Sequence, residues 1–394
     1  MYEMNNSIVV LVNEVVGSVL SICRTLKCKF DVKTYVICIN SNYKTIFQSS
    51  RYVDYVSQFQ VPNSMSLLQQ IKNWYTEQNF KKLPILYFTD DHSCNLVNEN
   101  RDWYELHFHL CLPSSFIVHS FTHKGVAEQI AENNGLLVPK GKVVITQRDL
   151  NEIFEIFSFP VIIKPRCTEE QPSLPFKKTK ILAKDDFLTY TIPIIENGLS
   201  FLCQEYIPGG DDKSIFYLFY RSSLGEITEC MGIKVLQSPP LRGIMAIGKT
   251  NYREEISRIS QSFLNKIDYV GIGGIEYKEY DGKFYFIEMS TRAEGFTYIS
   301  DLSGVSVSES SYKSYVYKTY NSKRQIDNIF YIDLAPFIKA KLSQKSFFSL
   351  FAEFIKFCLK PSCKFNILSW KDPLPFFINV AIVFNNKVLH NWKK

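Results

Sequence analysis

Three short apolar runs, separated by segments of helical length, most constrain what this chain can fold into. Ile8 to Val12 reads IVVLV, Tyr35 to Ile39 reads YVICI and Pro84 to Phe88 reads PILYF. Runs this short and this apolar are strands buried on both faces, the mark of a parallel sheet covered by helices. Asn13 to Lys27 is long enough for the helix after the first run. Ser64 to Gln78 carries Leu67, Leu68, Ile71 and Trp74 at helical spacing before the third. Strand, helix, strand, helix, strand predicts a parallel sheet with crossover helices. The first turn, Asn13-Glu14-Val15-Val16-Gly17, lacks the glycine pattern of a dinucleotide site.

The chain has 394 residues, 46% hydrophobic and 21% charged, enough to bury two or three cores. Its formal charge of +6 suits phosphate ligands or an anionic surface without demanding nucleic acid, and no nucleic-acid partner is expected. No apolar run reaches the roughly 20 residues of a spanning helix. The nearest, Ser7 to Ile22, is broken by Asn13 and Glu14 and has neither a basic leader nor a cleavage site. The 10 cysteines are scattered without a CxxC, which predicts a reduced, cytoplasmic protein. His107, His109 and Cys111 alternate with Phe108 and Leu110, as expected of a strand with polar faces rather than a metal cluster.

Further along, Thr122 to Asn134 and Asp149 to Phe157 read as helices. Gly135 to Pro139 reads as a helix stop leading into a strand, and Pro160 to Lys164 as a strand. From Leu199 to Tyr285 strand-like runs dominate, broken by a helix near Glu254 to Lys266, so an α+β region follows the α/β one. Beyond about Asn321 the chain turns rich in Phe and Lys, with few acids.

Four segments carry chemistry. Phe159 to Arg166 delivers Lys164 from the end of an apolar strand, a point charge for a polyphosphate. Leu202 to Asp212 runs from a strand through Pro208-Gly209-Gly210 into two carboxylates. Gly232-Ile-Lys234 puts a cation on a strand before a Pro-rich loop. In Gly271 to Arg292, Asp281-Gly282 joins two apolar runs, a hairpin signal. Alternation in that hairpin can aim Glu276 and Glu288 at one face, where two carboxylates repel unless a cation sits between them. Oxygen ligands completed by nucleotide phosphates describe magnesium.

In this order the segments resemble the ATP-grasp superfamily, and within it the carboxylate–amine ligase-like branch that includes D-aspartate ligase-like proteins. Ser50-Arg-Tyr-Val53, Thr89-Asp90-Asp91, Asn100-Arg101-Asp102, Thr122-His-Lys124 and Asp372-Pro373-Leu-Pro375 extend the likeness over most of the chain. The resemblance implies an α/β and α+β protein with the ATP-grasp fold. An N-terminal parallel-sheet, pre-ATP-grasp domain is expected over 1–115, the nucleotide-binding and catalytic domain over 116–320, and a Phe/Lys-rich extension packing on it over 321–394. It implies ATP and Mg2+, with Lys124 and Lys164 on the phosphates, Gln204 and the backbone of Glu205 and Ile207 at the adenine, and Asp211 on the ribose, Asp212 being the alternate. Lys234 would reach the γ-phosphate, Glu276 and Glu288 would hold metal, and Arg292 would steady the acyl-phosphate or the substrate carboxylate. The implied reaction activates a carboxylate as an acyl-phosphate and joins it to an amine, on small-molecule or saccharide substrates and in cell-wall or surface-polysaccharide metabolism.

The chain departs from that pattern at three places. Ser290 stands where the family usually has a metal-binding Asn. No glycine occurs from Arg166 to Ile181, where a flap usually covers the phosphates, and Lys177, Lys178 and Lys180 stand there instead. Leu236 replaces an Arg common in the branch, with Arg242 as a possible substitute. A degenerate nucleotide-binding module without ligase activity is the alternative function. Phe337 to Lys364 can close the ligase domain with its Phe stripe, or rest on an anionic membrane as a peripheral contact. The sequence leaves the oligomeric state open.

Overall fold

The computed structural model describes residues 6–166, 173–176, 179–241, 243–319, 323–342, 355, 357, 360 and 362–391, the side chains of 342 and 383–391 excepted. Its N-terminal part runs β1 (Ser7–Val12), α1 (Val16–Phe30), β2 (Lys33–Ile39), α2 (Lys44–Gln48), β3 (Tyr55–Phe59), α3 (Ser64–Gln78), β4 (Ile85–Phe88), α4 (Asp91–Asn98), α5 (Arg101–His107) and β5 (His109–Leu110). The five strands form a parallel sheet in the order β3-β2-β1-β4-β5. Successive residues of β1 serve opposite cores, Ile8, Val10 and Val12 on one face and Val9 and Leu11 on the other. This two-sided burial is why the run is continuously apolar.

Helix α3 keeps the limits its periodicity predicts, with the Asn63 side chain accepting from the Ser66 amide at its start. Helix α1 begins only at Val16, because the Asn13 N–H donates to the Asp90 carboxylate (2.8 Å) and holds the preceding turn open. The edge strand β3, exposed or half-buried throughout, has no apolar run to announce it. The expected strand through His107, Phe108 and His109 shrinks to β5. His107 closes α5 instead, stacked on Trp103 with centroids 4.1 Å apart.

The next part contains α6 (Ser115–Thr122), α7 (Lys124–Asn133), β6 (Gly141–Val144), α8 (Gln147–Ile156), β7 (Val161–Lys164), β8 (Lys180–Leu182), α9 (Lys184–Glu196) and β9 (Phe201–Glu205). The helix expected over Thr122 to Asn134 is α7, which starts after the extended His123; α6, ending at Thr122, is not among the expected helices. Gly135 stops α7 at φ 93°, and of the segment after it only Leu137 makes a bridge, to Tyr285. Strands β6-β9-β7-β8 form an antiparallel sheet with its own core, including Leu150, Ile153, Phe187 and Phe201. Leu174 and Phe176, from the glycine-free segment, are buried in that core.

The remainder comprises β10 (Ser214–Arg221), β11 (Ile227–Ser238), β12 (Ile244–Thr250), α10 (Glu254–Lys266), β13 (Gly271–Tyr280), β14 (Lys283–Ser290), α11 (Tyr298–Leu302), α12 (Val307–Tyr317), β15 (Phe330–Ile332), α13 (Leu334–Leu342), β16 (Cys363–Phe365) and α14 (Leu374–Asn391). A seven-stranded sheet runs β14-β13-β10-β11-β12-β15-β16. The Phe/Lys-rich region thus supplies two strands of the central sheet. Phe337 is fully buried and packs edge-on against Phe357 (5.9 Å), on the core side. Phe347, Phe348, Leu350, Phe351, Phe354 and Cys358 lie outside the described residues.

Two motifs far apart in sequence meet beside α1. Buried Asp372 accepts from Arg24 Nε (2.9 Å), Ser50 Oγ (2.7 Å) and the Arg51 amide (3.1 Å). Nearby, Asn366 lies so close to Gly17 that any Cβ there would collide with it at 2.3 Å. No described helix is long and apolar enough to cross a membrane.

Candidate functional site

The hairpin β13–β14 sets Glu276 directly opposite Glu288, and Gly274 opposite Ser290. Because β10 lies between β13 and β11, the same face of the sheet receives Lys234, whose ammonium forms an ion pair with Glu276. Lys234 is buried. Burial disfavours its charge, but Glu276, Glu288 and Glu294 outweigh this and hold its pKa above the ordinary lysine value. Glu276 is raised above the usual carboxylate range by burial, against the pull of Lys234 and with the push of Glu288. Glu288 itself is exposed. Two facing carboxylates, one of them already drawing a lysine inward, form an oxygen donor set that fits a hard divalent cation.

The four-stranded sheet brings the second half of the site. Lys164 ends β7, is 5% exposed, and is pushed below the ordinary lysine value by burial. Glu128 opposes that shift and Lys124 adds to it; Glu288 and Glu276 reach Lys164 as well. Lys164 is thus within the field of the carboxylates on the other sheet. Lys124 opens α7, and its amide donates to the Arg166 carbonyl (2.9 Å), which ties the helix to the chain beyond β7.

Gln204 on β9 is 1% exposed, and its carbonyl Oε1 has no hydrogen-bond partner among the described residues. An orphaned buried acceptor fits a ligand donor such as an exocyclic amine. The Glu205 amide already donates to the Lys140 carbonyl (2.9 Å), while its side chain accepts from the Lys140 amide (2.8 Å). Ile207 is buried beside the turn. Asp211 accepts from the amides of Gln237 (2.7 Å) and Leu241 (2.6 Å), so its carboxylate anchors the loop after β11.

Arg292 lies where the hairpin meets the parallel sheet. Its guanidinium donates to Asp91 (2.9 Å) and to Glu294 (3.2 Å), while the Ala293 amide donates to the Phe88 carbonyl (3.1 Å). The structure therefore places Lys164, Lys234, Glu276 and Glu288 in one electrostatic neighbourhood, and Arg292 beside the parallel sheet. Lys180 sits over the Tyr190 ring at 3.5 Å, engaged by its own lobe. Lys177, Lys178 and Arg242 lie outside the described residues.

Sequence reasoning passed over Glu128, Lys278 and Glu294. Glu128 is buried one helical turn after Lys124, a spacing readable in advance. Lys278 shares a face of β13 with Glu276 and donates to the carbonyls of Gly209 and Gly210. Glu294 packs over Gly274, across from Ser290.

No family model matches the chain. Over 256 residues it is 24% identical to a D-aspartate ligase of Enterococcus faecium, which covers 61% of this chain and 60% of that protein. The chain therefore matches well under two thirds of that relative's length. Among solved structures, an ADP complex of N5-carboxyaminoimidazole ribonucleotide synthetase superposes with a TM-score of 0.64 at 13% identity, over 86% of this chain and 85% of the other. An L-amino acid ligase from Bacillus licheniformis gives 0.60 at 13% identity, over 79% and 74%. The biotin carboxylase domain of the Hydrogenobacter thermophilus 2-oxoglutarate carboxylase, in complex with MgADP, gives 0.60 at 14% identity, over 84% and 74%. The chain has the ATP-grasp fold, and its sequence is similar to that of a D-aspartate ligase.

Proposed function

We propose that the protein is an ATP-dependent ligase that activates a carboxylate as an acyl-phosphate and joins it to an amine. The observation that carries this reading is the pairing of Glu276 with Glu288 across one hairpin, with Lys234 bound to the first and Lys164 within reach of both fields. In this reading Glu276 and Glu288 hold Mg2+, with Ser290 as a weaker third oxygen, and Lys124, Lys164 and Lys234 bind the ATP phosphates. Gln204 Oε1, the Glu205 carbonyl and the Ile207 backbone face the adenine, and Asp211 lies at the ribose. ATP and Mg2+ would supply the phosphoryl donor and the charge neutralisation of an in-line transfer. The chain's own task is to position the carboxylate and hold fixed cations where charge accumulates. The amine nitrogen then forms the bond to the acyl carbon as the carbon–phosphate oxygen bond breaks, releasing phosphate and a proton.

The parallel sheet supports a substrate position. Strand β1 has β2 on one side and β4 on the other, and ligands of open α/β sheets gather at the carboxyl ends of strands where the order switches. Asn13, Asp90 and Asp91 follow those ends, and Arg292 reaches Asp91. We assign residues 1–115 to substrate, 116–320 to nucleotide and chemistry, and 321–394 to closing the central sheet. The relatives' names, D-aspartate ligase and L-amino acid ligase, support an amino acid as one substrate. A cell-wall precursor or surface saccharide is the partner we propose for it, in the cytoplasm, where ATP is available and the eight free cysteines described stay reduced.

Incubation with MgATP and pairs drawn from amino acids, peptidoglycan precursors and uronic acids tests the reading. ADP release that needs both partners, with an amide of the matching mass, is the expected result. Nucleotide binding without ADP release from any pair leaves the non-catalytic module, the reading that Ser290 favours. A peripheral contact of the stretch Phe337 to Lys364 with anionic membrane belongs to the same proposal, although Phe337 itself is buried on the core side and Phe347, Phe351 and Phe354 lie outside the described residues. Vesicle co-sedimentation showing no preference for anionic lipid removes it.

A further inference from the structure

We infer that Lys278 is a positioning residue that joins the adenine-side connection to the metal-side strand, an inference that rests on the nucleotide function proposed above. Two stretches of chain beside the four-stranded sheet reach the seven-stranded one, 136–140 before β6 and 206–213 after β9. They are laced together where Glu205 and Lys140 exchange hydrogen bonds. Each is rooted on a strand that carries a candidate ligand of phosphate or metal. The first is fastened to β14, the strand of Glu288, by the Phe286 amide donating to the Leu137 carbonyl (2.7 Å).

The second is fastened twice. Asp211 grips the end of β11, the strand of Lys234, through Gln237. Lys278, two residues beyond Glu276 on β13, donates to the carbonyls of Gly209 (3.1 Å) and Gly210 (2.7 Å) and to Ser214 Oγ (3.3 Å). The turn presents those carbonyls because Gly209 sits at φ 128°, a region that side-chain-bearing residues avoid.

Lys278 is 7% exposed. It forms no ion pair with a carboxylate among the described residues; its hydrogen-bond acceptors are two carbonyls and one hydroxyl. A solvated lysine gains little from such a place. A lysine that holds a turn at a set distance from Glu276 has a reason to be there. That distance matters only to a ligand that spans from the turn to the metal carboxylates, because holding both ends of one molecule is where a fixed geometry improves affinity.

Binding of MgADP and of adenosine, compared by calorimetry in wild type and Lys278→Met, tests this. MgADP touches both the turn and the metal carboxylates, and adenosine only the turn. The variant is expected to weaken MgADP about tenfold and adenosine less than about twofold. A fall in melting temperature alone does not decide the matter, since any buried donor lost would cause it. Should Lys278→Met fail to fold, Lys278→Gln, which keeps a shorter donor, must show the same split at smaller size. Equal weakening of both ligands, no weakening of either, or failure of both variants to fold overturns the inference. If wild-type protein binds neither ligand, the nucleotide reading itself falls, and this inference with it. If wild type binds both and the variant changes neither, only the role of Lys278 is lost.

Discussion

The two sheets that build the candidate site differ in what they leave buried and unpaired beside it. On the seven-stranded sheet Lys234 pairs with Glu276, Asp211 with backbone amides, and Arg292 with Asp91 and Glu294. On the four-stranded sheet Gln204 Oε1 is buried with no partner among the described residues, and Lys164 is buried with a depressed pKa. Buried polar groups cost stability unless hydrogen-bonded, so the small sheet carries an unfavourable term that a bound ligand would relieve. The large sheet is organised before any ligand arrives. The difference teaches that the small lobe is the part whose stability and position should respond to nucleotide.

The largest expected effect removes charge from either sheet. Lys164→Ala and Glu288→Gln should each lower ATP turnover by at least about 10²–10³-fold, as loss of a preorganised charge does. Near-normal turnover in either variant, with wild-type thermal unfolding, would remove that residue from the site. Next in size is a break in the small lobe alone. Phe187 is fully buried in a core that includes no residue of the large sheet. Phe187→Ala should cost about 3–5 kcal/mol locally. Hydrogen exchange should then show β6 to β9 losing protection while β10 to β14 keep it; uniform loss across both sheets would contradict two separate cores.

A pH profile sharpens the contrast further. Lys164 titrates below 10.5 because burial disfavours its charge, with Glu128 raising it and Lys124 lowering it. Nucleotide binding should therefore weaken on the alkaline side as Lys164 loses its proton. Glu128→Gln removes the raising charge, so the alkaline limb must move to lower pH. A shift to higher pH, or none, means that Glu128 does not act on Lys164. The smallest effect belongs to the already organised sheet. Ser290→Asn should strengthen magnesium binding by about 1 kcal/mol or less, the scale of one hydrogen-bond-like contact. An unchanged or higher half-saturating magnesium concentration for turnover would place Ser290 away from the metal.

Much of this arrangement was legible in the chain. The runs of β1, β2 and β4 announced a parallel sheet because strands buried on both faces must be apolar at every position. Helices α3 and α10 fell where periodicity placed them, since an amphipathic stripe is a local property. Glu276 and Glu288 could be set on one face because Asp281-Gly282 forces a tight turn between their strands. Strand β3 stayed hidden because an exposed edge strand needs no apolar run.

Periodicity, turn chemistry and charge, all readable along the chain, specify the elements, their classes and the residue types available for phosphate and metal. Only the tertiary structure decided the partners. It set Lys234 on Glu276, Glu128 within the electrostatic field of Lys164, Asp372 against Arg24 and Ser50, and Lys278 under the Pro-Gly-Gly turn. Each of these contacts joins strands or helices distant in sequence. The energy of such a contact depends on burial and on which polar group the fold brings opposite, and neither quantity exists until the sheets have assembled.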